Sequence, residues 1–145
     1  MTQDEILAME AGRGIDALIA THILGLAWWR RGQSGQWIAL CPHDTEIPDY
    51  WIRDVPPIDI GEDDLSEAVP CYSTDIAAAW QVADKLHNSG WWVRVKSAMN
   101  EDLEQLGWAA HIGRWWNREY LGTWALTAPL VICRAALLAI MEAES

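Results

Sequence analysis

The hydrophobic period changes halfway along residues 72–96, which read YSTDIAAAWQVADKLHNSGWWVRVK. In the first part apolar and aromatic residues recur at helical spacing, on a face that we expect to be buried and that contains Ile76, Ala79, Trp80, Ala83, Leu86 and His87. Side-chain oxygens at residues 73–75 can cap the first turn, and Gly90 is the expected end of the helix. After Gly90 the period becomes 2, which is typical of a strand with one buried and one partly wet face. This stretch therefore predicts a helix, buried around Trp80, that leads directly into a strand.

The length and composition are those of one globular domain. A chain of 145 residues, 51% apolar and 21% charged, can bury a substantial core, so we expect a single domain over residues 1–145. The chain starts without a basic and then apolar leader, and its longest apolar run is too short to cross a membrane, so a cytoplasmic location is expected. Cys41, Cys71 and Cys133 follow no metal or redox spacing, which indicates free thiols.

Two features of the composition are unusual: eleven tryptophans without any phenylalanine, and a net charge of −11. Most of the indoles are expected to do the structural work of bulky aromatic side chains. The segment between Cys41 and Pro70 contains nine carboxylates and a single basic residue, Arg53, so it carries −8 of the net charge. Five of the six prolines also lie between Pro42 and Pro70. Together they predict a long acidic, Pro-rich loop at about 42–70, attached to the body by the apolar residues 50–52.

Local signals place the remaining elements. Thr2 and Glu5 form a capping box that starts a helix, and the glycines at 12 and 14 predict a break in it. Two apolar runs on either side of residues 32–35 predict a hairpin, and residues 107–113 and 120–126 predict two further strands. A last helix from Ala128 to about residue 142 is apolar nearly all round. It therefore packs on more than one side or forms a homo-oligomer contact.

Three blocks of the sequence resemble the phage ABA sandwich domain family. They are residues 4–18, with Gly12-Arg13 and Asp16-Ala17-Leu18; residues 72–80, YSTDIAAAW; and residues 127–138, TAPLVICRAALL. The resemblance implies a small bacteriophage or prophage protein with an α/β/α layer arrangement and no established catalytic residues. The fold class expected is therefore α+β: an α/β/α sandwich with a mostly antiparallel sheet of about four or five strands and about three main helices. The acidic insertion and the doubled tryptophans depart from the family pattern, so a specific activity is expected there.

The sequence contains no motif for catalysis, a metal or a cofactor. Cys41-Pro42-His43-Asp44 lacks the second close ligand pair of a zinc site, and its carboxylate would raise the thiol pKa rather than activate the cysteine. Residues 59–64, DIGEDD, lack the alternating spacing of a calcium loop. His22 and His87 are interpreted as core or boundary histidines. We therefore predict a protein without enzymatic activity, metal or cofactor.

Two binding functions remain open. In the first, the chain inhibits a host protein, such as a nucleic-acid-handling defence complex, in the manner of an anti-CRISPR factor. Its partner-binding residues would be Asp59, Glu62, Asp63, Asp64, Glu67, Trp115 and Trp116. In the second, the chain sequesters a nucleotide immune signal, with Arg114, Trp115, Trp116 and Arg118 stacking on the base and holding phosphate. The acidic balance disfavours direct binding of nucleic acid, and no membrane partner is expected.

Overall fold

The computed structural model describes the backbone of residues 2–31, 37–41, 51–53 and 70–144, with side chains over 2–26 and 70–143. Its helices are α1 (Gln3–Ala8), α2 (Arg13–His22), α3 (Ile76–Asn88) and α4 (Ala128–Glu144). Its strands are β1 (Ala27–Arg31), β2 (Trp37–Cys41), β3 (Trp51–Arg53), β4 (Trp91–Met99), β5 (Leu106–Arg114) and β6 (Leu121–Ala125). The α+β class with antiparallel pairing is as predicted. The described residues form four helices where about three were expected, and each sheet has three strands where one sheet of about four or five was expected.

The N-terminal region follows its local signals. The Thr2 side chain accepts a hydrogen bond from the Glu5 amide, and the Glu5 carboxylate accepts one from the Thr2 amide, so the capping box is formed. α1 ends at Ala8, and α2 begins after Gly12, its N-cap residue. The predicted break is confirmed.

Two three-stranded antiparallel sheets make up the described β structure. β1 pairs with β2 on one side, which confirms the predicted hairpin, and with β3 on the other. β3 lies inside the segment predicted as a loop, and its residues 51–53 pair with residues 29–31 of β1. In the second sheet, of order β4–β5–β6, Trp91 pairs with Arg114 at one end of the hairpin and Met99 pairs with Leu106 at the other. The predicted strand after Gly90 is confirmed and is longer than its sequence signal.

The helix α3 has the predicted position, and Ala79, Ala83 and Leu86 of its predicted face are buried, but Ile76, which was also predicted to be buried, is exposed. Asp75 is its N-cap residue, and its side chain accepts a hydrogen bond from the Ala77 amide. The buried residues are Ala78, Ala79, Val82, Ala83 and Leu86, whereas Trp80 is 54% exposed. The prediction that Trp80 lies in the core is therefore wrong. His22 and His87 are also exposed, so the interpretation of both as core or boundary residues is wrong as well.

α4 lies at the centre of the core. It contacts the sheet through β5 and β6, and it contacts each of the other three helices. From Leu130 to Ala139 each residue except Arg134 is buried. The apolar character on all sides is thus explained by packing within the chain, which confirms the expectation of packing on more than one side. In the described part of the chain, no helix has the length and apolar character needed to cross a membrane.

Candidate functional site

The connection between β5 and β6 carries the two aromatic side chains with the highest exposed fraction among the described residues. Trp115 is 73% exposed and Trp116 is 64% exposed. Their rings pack edge to face, with centroids 5.7 Å apart and an interplanar angle of 84°. Adjacent indoles in a turn cannot both enter the core beneath it, and here neither does. Trp115 and Trp116 thus form an exposed apolar surface, called the indole pair below.

The guanidinium group of Arg114 makes cation–π contacts with one ring of the indole pair and with Trp91. Its guanidinium carbon lies 3.9 Å from the centroid of the Trp91 ring and 5.3 Å from that of Trp116. Such cation–π contacts are favourable, more so where water is partly excluded. Arg114 is therefore held between one indole at the start of β4 and one in the turn.

The backbone of the turn is fixed as well. The Trp115 amide donates to the Gly90 carbonyl over 3.4 Å, and the Asn117 amide donates to the Arg114 carbonyl over 3.0 Å. The Asn117 side-chain oxygen accepts a hydrogen bond from the Glu119 amide at 3.1 Å. Gly90 has φ of +93°, the left-handed region that glycine adopts without strain, so the chain can turn sharply under the indole pair. These hydrogen bonds fix the conformation of the turn in the free protein.

A cleft of about 320 Å³ lies beside the indole pair, between the turn and the end of α4. Trp91, Arg114 and Trp116 line one part of it, and Glu119 and Glu142 also line it. A phosphate in this cleft would meet two carboxylates as well as one guanidinium. The electrostatics of the cleft therefore do not favour an anionic ligand.

The structure brings together only some of the residues predicted to bind. Arg114 and Trp116 line the cleft, whereas Trp115 and Arg118 are exposed residues outside its lining. The four predicted nucleotide-binding residues thus share one turn without converging on one pocket. The five predicted acidic residues, Asp59, Glu62, Asp63, Asp64 and Glu67, lie outside the described residues, as do the Cys41 side chain and residues 42–44.

The outer face of the second sheet continues the aromatic surface. The Tyr120 ring packs edge-on against His111, with centroids 5.3 Å apart, and lies 5.9 Å from Trp92. Burial and the nearby Lys96 and Arg94 lower the pKa of His111, so its imidazole is neutral near pH 7. This face supports the turn through Tyr120 without adding a titrating group at neutral pH.

Sequence reasoning missed a buried polar cluster at the start of α2. Asp16 is 1% exposed; its Oδ2 lies 2.9 Å from Arg13 Nη1, and its Oδ1 accepts hydrogen bonds of 2.8 Å from both the amide and the hydroxyl of Ser73. The Gly12 amide donates to the Ser73 hydroxyl at 2.9 Å. The sequence signal that could have revealed this cluster is Asp16, a charged residue within an otherwise apolar helical stretch. Because each of these polar groups has a partner, the cluster joins α2 to the segment before α3.

Two groups near this cluster are held in their protonated forms. Burial, reinforced by Asp16, raises the pKa of Tyr72 to about 12 and also raises the pKa of the Cys133 thiol. Neither group is therefore an activated nucleophile. Within the described residues, no three ligand-type side chains are grouped to hold a metal ion.

Comparison with known proteins gives the following matches. The family model of the phage ABA sandwich domain matches residues 17–137. No curated protein matches the chain. The 2.0 Å crystal structure of a phage protein from Bacillus cereus ATCC 14579 is similar, with 24% sequence identity, coverage of 92% of both chains and a TM-score of 0.47. The family match spans most of the chain and includes α3, parts of α2 and α4, and the β5–β6 connection.

Proposed function

The chain belongs to the phage ABA sandwich domain family, and from that premise we propose that this bacteriophage protein binds and inhibits a protein of the host cell. The observation that carries the proposal is the indole pair, with exposed fractions of 73% and 64% on an ordered turn. Exposed tryptophans contribute to binding energy when a partner covers them, and a turn that is ordered beforehand loses little entropy on association.

The charge of the chain indicates which partner suits it. A net charge of −11 attracts basic proteins and speeds their association, and proteins that handle nucleic acid carry basic surfaces. We therefore propose that the target is a nucleic-acid-handling defence component in the host cytoplasm. The acidic segment at 42–70 would supply the attraction, and the indole pair would anchor the complex. This function requires no enzymatic activity.

The experiment is capture of the tagged chain from host cells, followed by mass spectrometry of both the bound proteins and the bound small molecules. The test variant is Trp115→Ser with Trp116→Ser, which removes the indole pair and keeps the charge. The control is Trp80→Ser, since Trp80 is an exposed indole on α3, away from the turn. We expect a host protein on the wild type and the control, and an affinity at least about tenfold lower for the double variant, as for loss of interface hot spots.

A different outcome would replace the proposal. If the wild type carries a nucleotide and no host protein, and Arg114→Gln releases that nucleotide, the nucleotide-sequestering hypothesis is correct. A host protein that binds the double variant as tightly as the wild type would show that the indole pair is not the anchor.

A further inference from the structure

The far end of the β4–β5 hairpin exposes a second group of apolar side chains. Met99 and Leu106 are directly paired across the strands and are 42% and 66% exposed, and Trp108, on the same face of β5, is 38% exposed. Alternation along each strand places these residues on the face that is buried nearer the helices, at Ala110. The core face of the sheet thus extends beyond the helices, and among the residues whose side chains the structure describes none covers this end of it.

The tip of the hairpin adds a fourth apolar residue in a disfavoured backbone conformation. Leu103 has φ of +57°, and it is the only residue other than glycine with positive φ in the described part of the chain. Its side chain is 74% exposed. In this region the Cβ atom of an ordinary residue lies too close to a carbonyl oxygen, which is why glycine or asparagine is usual there.

Hydrogen bonds from one neighbour hold Leu103 in that conformation. The Leu103 amide donates to the Asn100 carbonyl at 3.0 Å, and the Asn100 side-chain oxygen accepts from the Glu104 and Gln105 amides at 3.0 and 3.3 Å. The leucine side chain gains little burial within the chain in return for this strain. Strained residues of this kind cluster at binding sites, so an apolar residue displayed at a strained tip indicates contact with a partner.

The charges around these residues determine the partner. Residues 99–106 contain Glu101, Asp102 and Glu104, all exposed, and no lysine or arginine. We propose that Met99, Leu103, Leu106 and Trp108, called the hairpin patch below, form a second protein-binding surface for an apolar segment bordered by lysine or arginine. A second copy of the chain suits the patch poorly, because a two-fold contact would bring two identical acidic rims together.

The hairpin patch is separate from the indole pair. Strand β4 runs from beside the indole pair at Trp91 to the patch at Met99, nine residues, which corresponds to about 27 Å at the usual rise of a strand. The two surfaces can therefore be occupied independently. The test of the patch does not depend on the proposed host inhibitor function.

The test uses two fluorescein-labelled peptides that form amphipathic helices of about five turns. Both carry leucine on one face; the probe carries lysine on the other face, and the control peptide carries glutamate. The variant is Leu103→Asn with Leu106→Thr, which keeps the charge and places in the tip a residue that tolerates positive φ. We expect the lysine peptide to bind the wild type and to bind the variant at least about tenfold more weakly, as for loss of an apolar anchor. Equal binding to both proteins, or binding of the glutamate peptide, would overturn the proposal.

Two controls separate the patch from general attraction to an acidic chain. Replacing Glu101, Asp102 and Glu104 by the corresponding amides should weaken binding of the lysine peptide. Asp59→Asn, Glu62→Gln and Asp63→Asn together change the net charge equally, and they should leave that binding unchanged. Equal weakening by both would contradict a localised site. Trp115→Ser with Trp116→Ser should leave peptide binding unchanged. In sedimentation, a wild-type dimer that Leu103→Asn with Leu106→Thr dissociates would show that a second copy covers the patch and would also overturn the proposal.

Discussion

Asp16 is a residue whose single side chain joins distant parts of the sequence. It accepts hydrogen bonds from Ser73, 57 positions away, and forms an ion pair with Arg13 one turn earlier in α2. Arg134 makes a similar connection from α4, donating to the carbonyls of Met9 and Trp124. These residues lie in or next to the three blocks that carried the family resemblance. The resemblance therefore rests on residues that build the fold, which is why it specifies structure and not a binding partner.

Asp16→Ala should strongly destabilise the protein. The substitution removes the carboxylate that pairs with Arg13, whose side chain is 13% exposed and which keeps its hydrogen bond to the Pro70 carbonyl. It also removes the acceptor for two Ser73 donors. Breaking a buried ion pair by removing one partner costs about 3–5 kcal/mol. Urea denaturation measures this difference, with Asp84→Ala on the exposed face of α3 as the control. A midpoint like that of the control would show that Asp16 is not part of a buried network.

Tyr72 should make stability fall at high pH. Its pKa is about 12 in the folded protein against an ordinary value near 10, so the folded state holds the phenolic proton more tightly than the unfolded state. This contribution is fully present below pH 10 and is lost as the pH rises from 10 to 12. The raised pKa of Cys133 acts in the same direction.

We expect Tyr72→Phe to lose less stability than the wild type between pH 9 and pH 12, each protein being compared with its own value at about pH 8. Urea midpoints across this range give the slope. The control is Tyr120→Phe, which removes a phenol that is 56% exposed in place of a buried one. Identical slopes for Tyr72→Phe and the wild type would mean that Tyr72 titrates as an ordinary tyrosine.

At the scale of elements, α3 shows how packing can override a sequence pattern. The predicted face placed Trp80 in the core beside Ala79 and Ala83. The observed buried face keeps these two alanines, but it adds a third alanine, Ala78, and leaves Trp80 outside. Small side chains let two helices approach closely, and α3 packs against α4 with this face. A tryptophan cannot fit into so close an approach, so Trp80 lies on the outside of the helix.

Leu86→Ala and Trp80→Ala should therefore differ in stability, in the reverse of the order suggested by residue size. Leu86 is 3% exposed, and truncating a buried leucine costs about 2–5 kcal/mol. Trp80 is 54% exposed, and its replacement should cost about 1 kcal/mol or less, as at other surface positions. Thermal midpoints of the two variants decide the matter. A larger loss of stability for Trp80→Ala than for Leu86→Ala would show that Trp80 is buried, as the sequence pattern predicted.

The elements that could be predicted are those with signals within a few residues. The Thr2–Glu5 capping box, the break before Arg13 and the turn at Gly90 depend on neighbouring residues, and each was predictable. The pairing of β3 with β1 and the bond from Ser73 to Asp16 depend on contacts between distant segments, which no local pattern records. The same distinction holds at the candidate site. The two tryptophans of the turn could be identified from the sequence, but the position of Arg114 between Trp91 and Trp116 could not.

At the scale of the whole molecule, charge and aromatic surface are distributed differently along the chain. The segment between Cys41 and Pro70 carries −8 of the net charge of −11, whereas the indole pair and the hairpin patch lie at the two ends of one β-hairpin. Charge acts over distance on the rate of encounter, while apolar anchors act on contact and slow dissociation. The proposed function therefore predicts that substitutions in the two regions change different rate constants.

Neutralising Asp59, Glu62, Asp63, Asp64 and Glu67 to the amides tests the first of these effects. Stability should change by less than about 0.5 kcal/mol, since the substitutions keep side-chain size and remove only like charges from an acidic segment. Binding of the host protein should weaken through a slower association rate, because exposed charges steer a basic partner over distances of about 8–10 Å at physiological salt. The wild type should lose affinity as salt rises, and the neutral variant should lose most of that dependence.

The matched control neutralises Asp4, Glu5, Glu10, Asp75 and Asp84 to the amides, five exposed carboxylates outside the indole pair and the hairpin patch. It changes the net charge equally, so it separates the acidic segment from the charge of the molecule as a whole. Stopped-flow association at several salt concentrations distinguishes the two variants. If the acidic-segment variant instead keeps full activity while substitutions at Arg114, Trp115, Trp116 and Arg118 abolish it, the acidic segment only keeps the protein in solution. A bound nucleotide would then be the ligand to seek if the arginine substitutions abolish activity on their own, because the guanidinium groups would hold phosphate, whereas loss of the two indoles alone is also expected for a host-protein partner.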